Sequence, residues 1–437
     1  MIVLNCPASP VYYTFRQTQV KNMPWYIVLT GSIIIILFGI YKKLNVGLTM
    51  LLGALALGLL SGLPAKAFFE VLVSGLWNSI TIMLIISILL LGVLGHILKA
   101  TGAMEEMIVN LHVLVFDVRI ISAAMPMLIG MLTVPGGAIL SAPLCAEAGK
   151  QLNISPERLT AINIWFRHVL YFMLPLFPSL IIAAELSGVG ISRLVLHNLP
   201  LTIIGLVFGF LWLFKGYPVA PKASKKTVDF SGGQVWSLLK SILPLLIIFS
   251  LVVFSNLYFP LALLAGIITA LLNYLPRGEW GNELFGRLRT MIVPGLKISL
   301  ALVIAGIMLF KEMLNRTGVI IELTDIILTM GIPVIILIIF VPFLVGMLTG
   351  DNTASVAILF PVFITLLPAA ETSYSAYAAF LFACSTAGHI VSPAHPCFSL
   401  TREYYQANIN KVILLLVPLL TAVVISGFLL TLLYEYY

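Results

Sequence analysis

Pro126-Met-Leu-Ile-Gly130-Met-Leu-Thr133 recurs as Pro342-Phe-Leu-Val-Gly346-Met-Leu-Thr349, an offset of 216 residues. Thr101-Gly102 and Thr317-Gly318 keep that offset, and other pairs hold the order with a drift of a few residues. Leu63-Pro64 and Leu275-Pro276 each end an apolar run, Ser179-Leu180 answers Ser399-Leu400, and Pro200 and Pro418 each open a last apolar stretch. One such match would be weak. Five in the same order indicate an internal duplication, the pattern on which many membrane carriers are built.

Composition says where such a duplicated chain lives. Of 437 residues, 60% are hydrophobic and only 9% charged, against roughly a quarter charged in a soluble domain. So few charges cannot cover a soluble protein of this size, and the same figures exclude intrinsic disorder. The chain reads as an all-α polytopic membrane protein embedded in a lipid bilayer. The net charge of +7 does not point to nucleic acid, because the basic residues sit in short loops where they set topology. Four scattered cysteines show no CxxC or Cys/His spacing of a zinc site. No cofactor is expected.

Each half reads alike. Residues 24–214 form repeat one, with runs at 25–41, 44–63 and 71–98, a Gly/Pro-broken stretch at about 120–149, then 159–183 and 196–214. Residues 241–437 form repeat two, with runs at 238–258, 260–276 and 291–312, a broken stretch at about 333–368, then 375–400 and 412–433. Residues 215–240, rich in lysine, read as a cytoplasmic linker, and residues 1–23 as an extracytoplasmic segment. Loop charges reverse between the halves. Lys42 and Lys43 mark the first loop of repeat one, whereas the equivalent Ser255–Pro260 is uncharged and the next loop carries Arg277, Arg287 and Arg289. Opposite bias in equivalent loops means opposite orientation. The expectation is two inverted-topology repeats, each of about five transmembrane helices plus a re-entrant hairpin, with the linker inside and both termini outside. Each hairpin arm in repeat one, about 14 residues or ~21 Å, is too short for the ~30 Å hydrocarbon core.

The hairpin tips and the broken segments after them are where chemistry is expected. Paired prolines there free backbone carbonyls, and half-helix N-termini can face an anion. Candidate substrate-binding residues are Gly136, Gly137, Ser141, Arg167, His168, Asn352, Thr353, His389 and His395. Candidates for ion or proton coupling are Thr133, Asp351, Asn352, Thr353, Ser385, Thr386 and Ser392, with Asp351 and Asn352 able to ligate Na+. Arg167 is either a countercharge for an anionic substrate or a side chain snorkelling to the inner surface. Asp351 either handles an ion or caps the second arm.

The duplication, hairpins and broken segments resemble the ion transporter superfamily of secondary carriers, over about residues 25–433. That group includes divalent anion/sodium symporters, citrate and gluconate permeases and arsenite antiporters, and the chain is similar to a branch of archaeal and bacterial integral membrane proteins. Sodium-coupled members carry Ser-Asn-Thr triplets at the tips. Asp351-Asn352-Thr353 matches two of three, while Pro135-Gly136-Gly137 does not match. The resemblance implies an elevator-like motion of hairpins and broken helices, and a homodimer. Together the readings give a secondary active transporter in the cytoplasmic membrane, moving a small anion, an organic carboxylate, with Na+ or H+ as coupling ion. The alternatives are an anion channel, an exporter, or an intramembrane hydrolase built from His389, His395, Ser385, Cys384 and Asp351. Neither HExxH nor GxSxG occurs, so no enzyme is expected.

Overall fold

Glycine and proline punctuate the chain into short helices, and the duplication organises them. The computed structural model describes residues 23–115, 117–131, 137–150, 152–219, 232–255, 257–274, 282–368 and 370–436. Among these there are twenty α-helices and no strand. The first half holds α1 (Trp25–Tyr41), α2 (Val46–Leu60), α3 (Ala65–Leu76), α4 (Ser79–Ala100), α5 (Ala103–Leu114), α6 (Val118–Met131), α7 (Gly137–Lys150), α8 (Pro156–His168), α9 (Pro178–Ser187) and α10 (Ile191–Leu213). The second holds α11 (Gly232–Phe254), α12 (Phe259–Tyr274), α13 (Asn282–Ile292), α14 (Ile298–Thr317), α15 (Val319–Thr329), α16 (Val334–Thr349), α17 (Asn352–Phe363), α18 (Glu371–Ile390), α19 (Pro396–Tyr405) and α20 (Ile409–Tyr436).

One repeated sequence pair is a structural joint, whereas Pro200 and Pro418 lie inside α10 and α20 instead of opening them, since each helix starts nine residues earlier. Gly102 and Gly318, at φ 73° and 70°, turn α4 into α5 and α14 into α15, a left-handed conformation that glycine adopts without steric cost. Pro178 and Pro396 occupy the first turn of α9 and α19, where a missing N–H costs nothing. The glycine of the quoted motif brings backbones together. A Cβ on Gly130 would lie 2.4 Å from the Arg167 carbonyl oxygen, and one on Gly346 would lie 2.3 Å from that of Ser385. So α6 packs on α8 as α16 packs on α18.

Contacts between the halves come in exchanged pairs. α2 packs on α14 and α12 on α4, α7 on α19 and α17 on α9, and α8 on α20 and α18 on α10. Helices α1, α2, α4, α11, α12 and α14 make a framework, cemented by glycines. A Cβ on Gly306 would meet the Gly47 carbonyl oxygen at 2.4 Å, and one on Gly92 the Gly295 oxygen at 2.5 Å. Helices α6–α10 and α16–α20 form the second group. Five helices are long and apolar enough to cross a bilayer: α4, α10, α11, α14 and α20. Large apolar side chains such as Trp77 (82% exposed) and Ile298 (81%) stand out from the surface, as lipid-facing residues do.

Three expected boundaries need correction. The runs at 71–98 and 291–312 are each broken near one end. Asn78 accepts a hydrogen bond from the Thr81 amide at 2.8 Å and starts α4 afresh, and Pro294 sits in a 3-10 turn before α14. The linker is shorter than 215–240, since α11 already begins at Gly232. Its first turns are held by Glu106 of α5, whose carboxylate accepts hydrogen bonds from Ser237, from Ser241 (3.3 Å) and from Tyr274 (2.8 Å). Residues 1–22 and 220–231 lie outside the described residues.

Candidate functional site

Three chain breaks meet in the second helix group. The first separates α8 from α9, through a 3-10 turn at Val169–Phe172. The second is the tip between α16 and α17, where Gly350 has φ 61°. The third, residues 391–395, separates α18 from α19. Glycine at 350 is dictated by space as well as by φ, since a Cβ would lie 2.6 Å from the Ala394 carbonyl carbon. The tip therefore sits directly on the third break. Ser392 fastens that break to α16 by donating to the Met347 carbonyl at 2.5 Å.

The histidines converge on this junction. His168 ends α8, and its Nδ1 lies 2.7 Å from the Ile164 carbonyl oxygen. Its Nε2 lies 2.9 Å from Nε2 of His395. His395 caps α19, with its Nδ1 3.3 Å from the Gly350 carbonyl oxygen. The His389 ring is centred 4.0 Å from that of His395 and 5.9 Å from that of His168. All three are buried. Arg167, 1% exposed, does not snorkel to a surface; its charge acts on His168, His395 and Tyr171.

A second, neutral cluster lies beside the first. The Asn352 amide donates to Ser179 (3.1 Å) and Thr386 (3.0 Å) and accepts from Ser385 (3.0 Å), whose hydroxyl also meets that of Ser355 at 2.8 Å. This cluster joins α17, α9 and α18. Asp351 caps α17, accepting from the Ala354 amide at 2.9 Å; Thr353 is half-buried on the first turn. The amide and carboxylate read as Na+ ligands are thus engaged within the protein. Asn352 at the start of α17 touches Ser179 at the start of α9, and His395, the cap of α19, touches His168 beside Arg167. Three helix N-termini, each with partial positive charge, therefore gather at these breaks.

Of the candidates named from sequence, Arg167, His168, His389 and His395 come together with the tip, and Asn352, Ser385 and Thr386 form the adjoining cluster. Ser141 bonds back to Ala138 within α7 at 3.2 Å, and Gly137 opens that helix. Thr133 and Gly136 lie outside the described residues. Sequence reasoning missed Tyr171, whose ring is 4.7 Å from His168 and 3.7 Å from Phe177. Aligning the starts of α9 and α19, at Pro178 and Pro396, sets Tyr171 opposite His389. Ser385, one of the residues named for a hydrolytic site, bonds Ser355 and Asn352. His168, His395 and Cys397 each offer one donor atom, all within 4.8 Å of one another. The 2.9 Å between the two Nε2 atoms suits an N–H···N bond and is shorter than the roughly 3.3 Å between two nitrogens on one tetrahedral ion. A separate groove of about 420 Å3 between α6, α8 and α10, lined by Ile120, Met127, Phe166 and Phe210, is apolar throughout.

The family model described as "Protein of unknown function (DUF401)" matches residues 26–434. The chain belongs to that family. No curated protein matches it. Among solved structures, the fold is similar to the YdaH transporter of Alcanivorax borkumensis, whose crystal structure is described as having an unusual topology. The TM-score is 0.59 at 16% identity, over 86% of this chain and 90% of that one. At that identity the likeness establishes the all-helical membrane fold and its coverage of nearly the whole chain.

Proposed function

We propose that this chain is a secondary transporter that carries a small organic anion across the cytoplasmic membrane, coupled to Na+ or H+. One observation carries the reading: a buried arginine and three helix N-termini meet at chain breaks supplied by both halves. Charge buried inside a membrane protein is costly and marks a solute path. Broken helices aimed at a common point are the way carriers hold ions at mid-depth, and non-helical backbone survives there only where protein or a cavity covers it. The likeness to a structure described as a transporter points the same way.

In this reading the two halves are inverted, with the basic segment after α10 inside and both termini outside. Helices α6–α10 and α16–α20 move against the framework in an elevator-type alternation, and the framework supplies a homodimer contact. This is the behaviour of the ion transporter superfamily the sequence resembles. The test is uptake by the purified protein in liposomes, with a panel of labelled monocarboxylates and dicarboxylates under imposed pH or Na+ gradients. Saturable accumulation above the outside concentration, abolished by Arg167→Gln, is expected. Unsaturable flux that stops at equal concentrations would make it a channel, and a chemically altered solute would make it an enzyme. Accumulation only in the reverse sense would make it an exporter.

A further inference from the structure

The hydrogen-bond pattern around His168 and His395 has one contact more than two neutral rings can satisfy. Nδ1 of His168 faces the Ile164 carbonyl at 2.7 Å, Nδ1 of His395 faces the Gly350 carbonyl at 3.3 Å, and the two Nε2 atoms face each other at 2.9 Å. A carbonyl oxygen only accepts, so each outer contact calls for hydrogen on Nδ1. A neutral imidazole carries one N–H. If both hydrogens serve the carbonyls, two bare lone pairs oppose each other across the middle. If His395 turns its hydrogen inward, its bare Nδ1 opposes Gly350. Either way one contact sets lone pair against lone pair. One added proton satisfies all three.

We propose that His168 and His395 hold a single proton between their Nε2 atoms, and that this proton is the coupling ion of transport. The first part stands on the geometry alone; the second rests on the anion-carrier reading above. His168 comes from the first half and His395 from the second, so the proton ties the halves together beside the Gly350 tip. The charged and titratable groups facing the pair are Arg167 of α8, Tyr171 of the 3-10 turn, His389 of α18 and Cys397 of α19, and Asp351 of the tip acts on Tyr171. The added proton places a further positive charge beside buried Arg167, and an anionic solute offsets it. Proton and anion then raise each other's affinity by the same factor, which makes the movement a symport of proton and carboxylate.

The decisive experiment is 15N NMR of histidine-labelled protein in lipid nanodiscs. There are six histidines, and the pair is identified by the signals lost in His168→Gln and His395→Gln, each checked for folding by size-exclusion chromatography. The expected result is one transition shared by the two rings as the pH is stepped. Below it the two Nε2 atoms share one proton and give resonances averaged between protonated and bare; above it two bare-nitrogen resonances appear, and either substitution abolishes the shared step. Independent titration of the two histidines, or bare nitrogens on both throughout, would overturn the site. So would one equivalent of a metal in elemental analysis, with the shared step absent until chelation. The transport role is read separately, by uptake of labelled monocarboxylates and dicarboxylates under an imposed pH gradient. A shared NMR step with carboxylate uptake that ignores the pH gradient overturns the coupling role. A shared step with no carboxylate uptake at all overturns the carrier reading and leaves the proton site standing.

Discussion

Alanine in place of Gly346 should loosen the site from beneath. A Cβ there would lie 2.3 Å from the Ser385 carbonyl oxygen and 3.0 Å from the His389 backbone nitrogen, where ordinary contact begins at 3.4 Å. Both obstructing atoms are backbone and cannot swing aside, so α16 and α18 must part by about 1 Å. Ser385 on α18 also bonds Ser355 and Asn352 of α17 at 2.8 Å and 3.0 Å, so displacing α18 by an ångström to relieve the clash breaks both bonds. Overpacking costs about 1–3 kcal/mol, and two buried hydrogen bonds add about 0.5–1.5 kcal/mol each. The expected loss is therefore about 2–6 kcal/mol. Thermal unfolding in detergent, followed by a thiol-reactive dye, reads it directly, because Cys145, Cys384 and Cys397 are buried; a Cys6→Ser background removes the fourth. Gly130→Ala, facing the Arg167 carbonyl at 2.4 Å, should behave alike. Gly286→Ala meets nothing within 4 Å and should leave stability unchanged or gain up to about 1 kcal/mol from helix propensity. If Gly346→Ala melts within about 0.5 kcal/mol of the parent, or Gly286→Ala falls as far, the close-packing argument is wrong.

Other expectations follow from single groups. Arg167→Lys keeps the charge but loses the planar fork, so uptake should fall about tenfold or more, chiefly as a weaker apparent affinity, measured in the same liposomes. Glu106 lies on α5, outside the spanning helices. Burial pushes its carboxyl up, but hydrogen bonds from Ser237, Tyr274 and Ser241 and the Lys240 charge outweigh this and hold it below the ordinary carboxylate range. Its stabilisation is then present in full above about pH 4.3 and lost as the pH falls below that value. Melting curves of Glu106→Gln should show a smaller loss in that acid range than the parent does; an identical loss would remove Glu106 as its source. Cysteines placed at exposed Lys42 and Ser255 should react with impermeant reagents from opposite sides of the membrane, and labelling of both from one side would rule out inversion.

The sequence carried the duplication because its joints are made by residues with no substitute. Glycine alone permits the close approaches at 130 and 346, and proline alone opens α9 and α19 without an amide to satisfy. It concealed the breaks at Asn78 and Pro294, since one polar residue or one proline inside a long apolar run gives no periodic signal. The hairpin tips and broken segments were legible as places, and Arg167, His389 and His395 as candidates. The contact between His168 and His395 was not, because 227 residues separate them and no spacing rule spans that distance. Tyr171 and Ser179 were passed over as ordinary residues of an apolar stretch. Their role arises only when the first break folds against the second half.

The exchanged packing of the framework bears on how the protein is made. Gly47 of α2 has its backbone against α14, which begins 238 residues after α2 ends, from 60 to 298. During synthesis the first half must wait in the bilayer with that seam open while some two hundred further residues are added, and α4 must wait likewise for α12. A chain stopped after α10 would hold its own α1–α2 contact but have no mate for either seam. Released fragments ending there should be taken by membrane proteases or pair with a second fragment, whereas the halves expressed together as two chains, cut between 220 and 231, should find one another and fold.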